Sequence, residues 1–527
     1  MEALRIPYSD ARTIAPLVQA YLDGDPALRE HYVHPPDKVG LRAAAQRPFD
    51  AATRQVLVEV LRDQYAGLPD TEAVHASIEQ LARRDALTIT TGHQLVLFGG
   101  PLYVPYKILN VIRLAREQSE RLQRPVLPVF WMATEDHDRA EVDHTYFRGQ
   151  RIHWPGAAGG AVGRLPLQGI DEAVEQAVKA LGDGHHAAHY AELIRSCYRP
   201  GRTLAEAMRL LMHGLFGAQG LLILDGDDPR LKRRFIPVMQ EELLNQVAER
   251  TVRYANDRLP EGTDAQAHAR PINLFHLAPG HRRRIVEEEG RFNVMDGGPS
   301  WSTDELLAEL EARPADFSPN VLLRPVYQET VLPNIAYIGG AGELAYWLQL
   351  RWLFQALQVP MPAVLLRTSA AFLPAKRWQH WQELGLSAAD LFADPSELRR
   401  RVAGRAVSFR TELHSERAEL HSFYQRLRTA ALAADTTLRG AVDAREAAAQ
   451  HGLERLERSL LRAARRHAED QLARLDATLN AVKPGGTLQE RKENILPLLA
   501  DRGTAMVDLL YQELDPLRIG FSVLVEA

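Results

Sequence analysis

The sequence predicts an α/β fold: a doubly wound parallel sheet with two insertions, followed by a C-terminal α-helical hairpin of coiled-coil type. Three observations carry this. Val126–Met132 (Val-Leu-Pro-Val-Phe-Trp-Met) is an unbroken apolar run, the pattern of a strand buried on both faces. Similar runs at 86–91, 220–225, 334–338 and 361–366 are separated by helical stretches, the order that builds a parallel sheet. From about 405 to 480 proline disappears, and Ala, Leu, Arg and Glu dominate.

The elements follow in order. Residues 1–85 read as a mostly helical segment of the core, with turns at Asp23–Pro26 and His34–Pro36. The core spans 86–370. Its first unit is a strand at 86–91, a glycine-rich turn (Gly92–Pro101), a helix from about Leu102 to Gln118, and the strand at Val126. That βαβ arrangement implies a right-handed crossover. A first insertion, about 149–217, begins Gly- and Pro-rich and continues as helices. Gly220–Asp225 is the next buried strand. A second insertion, about 231–310, holds a helix to about Arg253 and then short strands and turns. Val321–Tyr327 reads as the resumption of the sheet, followed by Asn334–Ile338, Gly339-Gly-Ala-Gly-Glu343, a helix over 344–357 and a final strand, Met361–Leu366. Residues 371–486 form a helical linker and an antiparallel hairpin that turns near Ala434–Gly440. Leu413, Leu420 and Leu427 repeat every seven residues there, and His467 and Asp470 interrupt the seam. Residues 487–527 return to the core with a helix over 488–510 and a strand at Ile519–Val525.

Composition narrows the function. A chain of 527 residues with 25 % charged and 46 % hydrophobic residues is an ordinary globular chain of two to four folding units. A formal charge of −5 argues against a general binder of nucleic acid or membrane surfaces. The single cysteine, Cys197, permits no internal disulfide and suits a reducing compartment. The first ten residues lack the apolar core of a signal peptide, and no run reaches the length of a membrane span. The expectation is a soluble cytoplasmic protein.

The strand at 126–132 empties into Glu135, Asp136, His137, Asp138, Glu141, Asp143 and His144. In open α/β sheets ligands bind outside the carboxyl ends of the strands, so this cluster is the leading site candidate. A histidine oriented by a carboxylate suits acid/base work. His137 and His144 with a carboxylate would suit a metal, although the spacing matches no established metal motif. The bland alternative is a solvated helix start. At Gly92–Pro101, with Gly99 and Gly100, backbone N–H groups could face an anion, and Lys107 could add charge. His93 and Gln94 close the strand. Gly339, Gly340 and Gly342 repeat the arrangement before Glu343, with Asn334 and Tyr337 just upstream. Asn320 and Arg324 flank the predicted strand at 321–327. The basic runs Arg230–Arg234 and His281–Arg284 read as solvated faces. Cys197 has no obvious base near it in sequence.

Thr91-Gly-His-Gln94, Gly99-Gly-Pro-Leu-Tyr103, Lys107 and Pro128–Asp138 together resemble the bacillithiol biosynthesis cysteine-adding family, BshC. Ser318–Pro325, Ala336–Trp347 and Leu488-Gln-Glu-Arg491 extend the resemblance over essentially the whole chain. Two positions depart from the family pattern: His93 stands where glutamine is frequent, and Thr134 where glycine is. The resemblance implies a Rossmann-like core, a coiled coil that forms a homodimer, and a ligase that joins the carboxyl of L-cysteine to the amine of glucosaminyl-malate. Amide formation needs an activated carboxyl, most simply through ATP as an acyl-adenylate. The His-x-Gly-His and Lys-Met-Ser-Lys-Ser signatures of synthetase-like enzymes are absent. The roles expected are Asp136 or Glu135 for the substrate amine, His137 for proton transfer, and the glycine turns with Lys107 for anionic groups, with no resident metal. A metal-dependent hydrolase using Glu135–His144 and a non-catalytic coiled-coil dimer are the alternatives.

Overall fold

A computed structural model describes residues 2–156 and 159–526. The chain divides into two compact units. One comprises residues 7–370 and 488–522, and the other residues 2–6, 371–487 and 523 onward.

The larger unit is built on five strands: β1 (Leu87–His93), β2 (Val126–Met132), β3 (Leu222–Asp225), β4 (Asn334–Gly339) and β5 (Ala363–Leu366). All neighbours are parallel, in the order β5-β4-β1-β2-β3. Nearly every residue of these strands is buried, which explains the continuous apolar runs. Pro128 is tolerated in β2 because pairing with β3 begins only at Val129, so its missing N–H removes no bond on that side. Helix α1 (Tyr103–Leu122) connects β1 to β2, and its Val111, Leu114 and Ala115 pack with Ile89, Val126, Ile335 and Leu365 in one core. The chain runs from β1 to one side of the sheet and later crosses to β4 on the other. The carboxyl ends of β1 and β4 therefore flank the point where the winding reverses, which is where open α/β sheets place ligands.

The first insertion holds a hairpin (His144–Phe147 with Gln150–His153) and three helices between Asp171 and Phe216. Positions 157 and 158 of its Gly-rich opening lie outside the described residues. The second opens with helix α2 (Pro229–Asn245) and then forms an antiparallel sheet from Leu274–Ala278, His281–Glu288, Arg291–Val294, Ser300–Trp301 and Phe317–Pro319.

One predicted strand is a helix. Val321–Tyr327 leads into helix α3 (Leu323–Val331) instead of rejoining the sheet. Asn320 Oδ1 accepts from the N–H groups of Leu322 and Leu323 at 2.9 and 3.2 Å and so starts the helix. Pro325 lies near the start of the helix, where its fixed φ is compatible with helical backbone. The helix expected over 344–357 is two shorter ones, α4 (Ala341–Trp347) and α5 (Arg351–Ala356). The one expected over 488–510 is three: Gln489–Lys492, Leu496–Arg502 and Ala505–Glu513.

The second unit is helical, and its residues 2–6, 371–373 and 523–525 lie in strands of a three-stranded sheet with the C-terminal strand in the middle. Its hairpin pairs His414–Ala434 with Arg439–His467, turning at Thr436–Leu438 as expected. The second arm breaks at Ala468, between the two residues that interrupt the heptads, and resumes as Glu469–Val482. Ala403, Ala464 and Ala468 form a small core, whereas the first arm has no buried residue.

Candidate active site

A cleft of about 760 Å³ lies at the carboxyl ends of β1, β2 and β4, within the size range of small-molecule sites. Gly92, His93 and Gln94 supply its β1 wall, 133–137 its β2 wall, and Gly340, Gly342 and Glu343 its β4 wall.

Its floor is ionic. Lys107, one turn into α1 and 1 % exposed, reaches back to donate to the Gly92 carbonyl at 3.0 Å and to pair with Glu343. Glu343 also accepts from Tyr337 Oη at 2.5 Å and from the Gly340 N–H at 2.7 Å. Burial pushes the Glu343 carboxyl up, but Lys107 and these donors outweigh it and hold it down at about 2. Arg324, in the first turn of α3, lies 5.6 Å from the Tyr337 ring centroid and donates to Tyr346 Oη at 3.3 Å. A Cβ on Gly92 would stand 3.4 Å from the Arg324 guanidinium.

The acidic turn after β2 is clamped by the first insertion. Val162 N–H donates to the Asp136 carbonyl at 2.6 Å and Gly163 N–H to the Thr134 carbonyl at 2.8 Å. Gly163 is required there, because a Cβ would come within 2.6 Å of Thr134 Cβ. Asp136 accepts from Gln94 Nε2 and from the His137 N–H, each at 2.7 Å, with Arg282 at 3.7 Å. Burial raises its pKa, yet the His137 bonds and the Arg282 charge prevail, and the carboxyl sits at about 2. Arg282 donates to His137 Nδ1 at 2.9 Å, so the proton of the neutral imidazole resides on Nε2. Glu135 pairs with Lys232; burial raises its carboxyl and Lys232 offsets part of that. Burial, then Asp138 and Asp136, push Glu141 upward. Burial and the charge of Lys107 depress His93 to about 3, and among the described residues its Nε2 has no hydrogen-bond partner.

The cleft thus gathers Glu135, Asp136, His137, His93, Gln94, Lys107, Asn320, Arg324, Gly340, Gly342 and Glu343 from the sequence-predicted set. Tyr337 supports Glu343 from beneath, and Gly339 lies under the wall, its carbonyl accepting from Arg367 N–H at 2.8 Å. Five predicted residues lie elsewhere. Gly99 and Gly100 form a tight turn off the cleft, with φ of 85° and 71°, and Asn494 Nδ2 donates to the Gly100 carbonyl at 2.9 Å. Asn334 begins β4 at the end opposite the cleft and bonds Thr90 and Glu329 at 2.9 and 2.8 Å. Asp138 is exposed and does not line the cleft. His144 bonds Asp143 at 2.9 Å and lines a separate, smaller cavity. The two imidazoles of the metal-hydrolase alternative therefore face different spaces. Among the described residues no group of three or more His, Cys, Asp or Glu converges to hold a metal ion. At the second glycine turn, Glu343 itself takes the Gly340 N–H. Cys197 is buried in the helical insertion, with its thiol pushed up to about 11 by burial.

Sequence reasoning missed five residues. Lys232 and Arg282, read as parts of solvated runs, turn inward with side chains 0 and 7 % exposed. Lys232 sits on the stripe formed by Leu231, Phe235, Ile236 and Met239, so a cation on an apolar helix face was the available signal. Arg282 lies over the Phe275 ring, 4.0 Å from its centroid. Arg367 pairs bidentately with Glu490 at 2.9 and 2.8 Å beside Tyr103, and Arg491 follows Glu490 into the cleft wall. No local pattern joins 367 to 490.

A parallel sheet with its winding reversed at a polar, charge-lined cleft defines a Rossmann-like α/β enzyme. Comparison with known proteins makes this specific. The family model described as "Bacillithiol biosynthesis BshC, N-terminal Rossmann-like domain" matches residues 1–368, and "Bacillithiol biosynthesis BshC, C-terminal coiled-coil domain" matches 370–526. Proteins named "Putative cysteine ligase BshC" are similar over nearly the full length. That of Flavobacterium johnsoniae is 38 % identical, covering 98 % of this chain and 99 % of its own. That of Christiangramia forsetii is 35 % identical over 98 % of each, and that of Cytophaga hutchinsonii 34 % over 97 % of each. The chain belongs to the BshC family of bacillithiol biosynthesis.

Proposed function

We propose that this chain is a cysteine ligase that joins the carboxyl of L-cysteine to the amine of glucosaminyl-malate, forming an amide. The observation that carries the reading, beside the family, is Asp136. It is a carboxylate held ionised at a strand end, facing a cleft that also presents the guanidinium groups of Arg282, Arg324, Arg367 and Arg491. Both substrates bear an ammonium and carboxylates, and such a site recognises both kinds of charge. Asp136 takes the ammonium of the acceptor. Glu141, whose carboxyl is raised, is the better proton acceptor for freeing the amine. His137 presents Nε2–H to the oxygen that becomes negative as the nitrogen–carbon bond forms.

ATP would supply the group that turns a carboxylate oxygen into a leaving group. The cleft fits it in volume and through the Arg324 and Arg282 side chains. The carbon–oxygen bond to that group breaks as the amide forms, and the nitrogen sheds its remaining excess proton. A cytoplasmic homodimer through the hairpin belongs to the same reading. It is supported by Phe423, Leu427 and Leu456, apolar side chains exposed on the hairpin arms. No helix among the described residues is long and apolar enough to cross a membrane.

The test is mass-spectrometric detection of cysteinyl-glucosaminyl-malate, with and without ATP, using the wild type and Asp136→Asn. Absence of product from the wild type under both conditions sinks the ligase reading. Full activity of Asp136→Asn sinks the role given to that carboxylate.

A further inference from the structure

Beside the cleft lies a second cavity of about 250 Å³. His93, Gln94, Tyr103, Glu141 and Arg491 line both, so the two spaces share a rim. The inner wall of this side chamber adds His144, Tyr146 and Lys492, the last with its ammonium 5.1 Å from the centroid of the Tyr146 ring.

Arg491 differs from the other arginines of the site. Arg282 is bonded to Pro319 and His137, Arg324 to Gln328 and Tyr346, and Arg367 to Glu490. Among the described residues Arg491 forms no ion pair and no side-chain hydrogen bond. Its side chain is exposed at the shared rim, and the backbone on either side of it is held. On one side, Glu490 receives Arg367 and the Ala370 N–H at 2.9 Å. On the other, the Glu493 carbonyl accepts from Leu102 N–H at 2.8 Å, and Asn494 Nδ2 donates to the carbonyls of Phe98 and Gly100 at 2.9 Å each. A guanidinium that lines a cavity from held backbone, without a protein carboxylate, is open to a ligand's carboxylate, which it matches with two parallel bonds.

We infer that the side chamber takes the carboxylate-bearing arm of the acceptor substrate and that Arg491 is the residue that recognises it. The inference rests on the reading of that acceptor as glucosaminyl-malate. Gln94 connects the two ends. It lines the chamber and donates to Asp136, so an acceptor whose carboxylates meet Arg491 points its sugar amine across the rim toward Asp136. Arg491 therefore selects among amino sugars by their aglycone, while cysteine binds without it.

The test is calorimetric titration of the full chain with glucosaminyl-malate and with methyl glucosaminide, which has the amine and no carboxylate. The wild type should bind glucosaminyl-malate at least about tenfold more tightly. Arg491→Gln should weaken that binding about 10- to 100-fold and leave methyl glucosaminide and cysteine unchanged. Arg491→Lys should retain part of the preference. Equal binding of both glycosides by the wild type overturns the inference, as does an Arg491→Gln variant that keeps the preference or loses both ligands equally. An Arg491-dependent preference without amide formation would remove the ligase reading and keep the chamber. Amide formation with the preference intact in Arg491→Gln would do the reverse.

Discussion

Lys107, buried, and Glu343, on the cleft wall, form an ion pair that joins the first crossover helix to the turn after β4, across the point where the sheet reverses. Burial pulls the Lys107 ammonium down in pKa, and the carboxylate it meets is also depressed, so Glu343 gains from the pair what Lys107 loses to desolvation. Glu343→Gln leaves a buried ammonium without a counter-charge. The expected loss is about 3–5 kcal/mol, measured by urea denaturation, with partial recovery in Lys107→Met/Glu343→Gln. Because the folded pKa of Glu343 lies below its unfolded value, the contribution is complete above that unfolded value. It fades as pH falls through about 2.

His93 behaves oppositely to a charged partner. Its folded pKa of about 3 lies below the ordinary 6.5, so the unfolded chain binds the proton first. Stability from this residue is present above pH 6.5 and declines as pH falls toward 3. His93→Gln removes that titration. The stability of the wild type relative to the variant should therefore drop between pH 7.5 and 5, as read by denaturation at each pH. An unchanged difference would show that His93 is not held neutral.

Arg282 sits at a different kind of junction, touching both His137 and the field of Asp136. Arg282→Met removes a positive neighbour, so the Asp136 carboxyl rises from about 2. The acid limb of kcat/KM for amide formation should move to higher pH, since the carboxylate is then protonated sooner. Activity at neutral pH should fall about 10- to 100-fold through loss of the His137 orientation. An acid limb that stays in place would separate Asp136 from the reaction.

Asn334 supplies a control. It bonds Thr90 and Glu329, and Glu329 in turn pairs with Arg47 at 2.9 Å, all at the end of the sheet away from the cleft. Asn334→Ala leaves buried polar groups without partners and should cost about 1–3 kcal/mol in denaturation. Substrate KM values should be unchanged. A change in KM without loss of stability would return Asn334 to the site.

Much of the larger unit was legible because a parallel sheet writes itself as apolar runs: 126–132, 222–225 and 363–366 needed no other clue. The acidic turn was legible for the same reason, since it interrupts such a run at its carboxyl end. Val321–Tyr327 misled because a buried helix one face wide and a short strand share the same apolar letters, and Asn320 capping decided between them. Gly99 and Gly100 misled because a glycine pair marks a turn without saying which way its N–H groups point. Lys232 and Arg282 were hidden in runs of like charge, where only three-dimensional packing selects the one cation that turns inward. Arg367 with Glu490 was beyond reach, because the pairing is set by the path of the chain and not by any local pattern.

That pairing has a consequence for synthesis. Arg367 and Glu490 stand 123 positions apart, with most of the helical unit between them. At roughly 5–20 residues per second, a ribosome needs on the order of 10 s to deliver Glu490 after Arg367 has emerged. Through that interval the sheet can wind, but one arginine bound for its interior has no counter-ion, and the wall bearing Arg491 does not exist. A fragment ending at residue 368 would contain every core strand and lack the bolt that completes it. Catalytic competence is thereby tied to translation of the late segment, so a nascent chain stalled in the hairpin would hold an open, unfinished pocket.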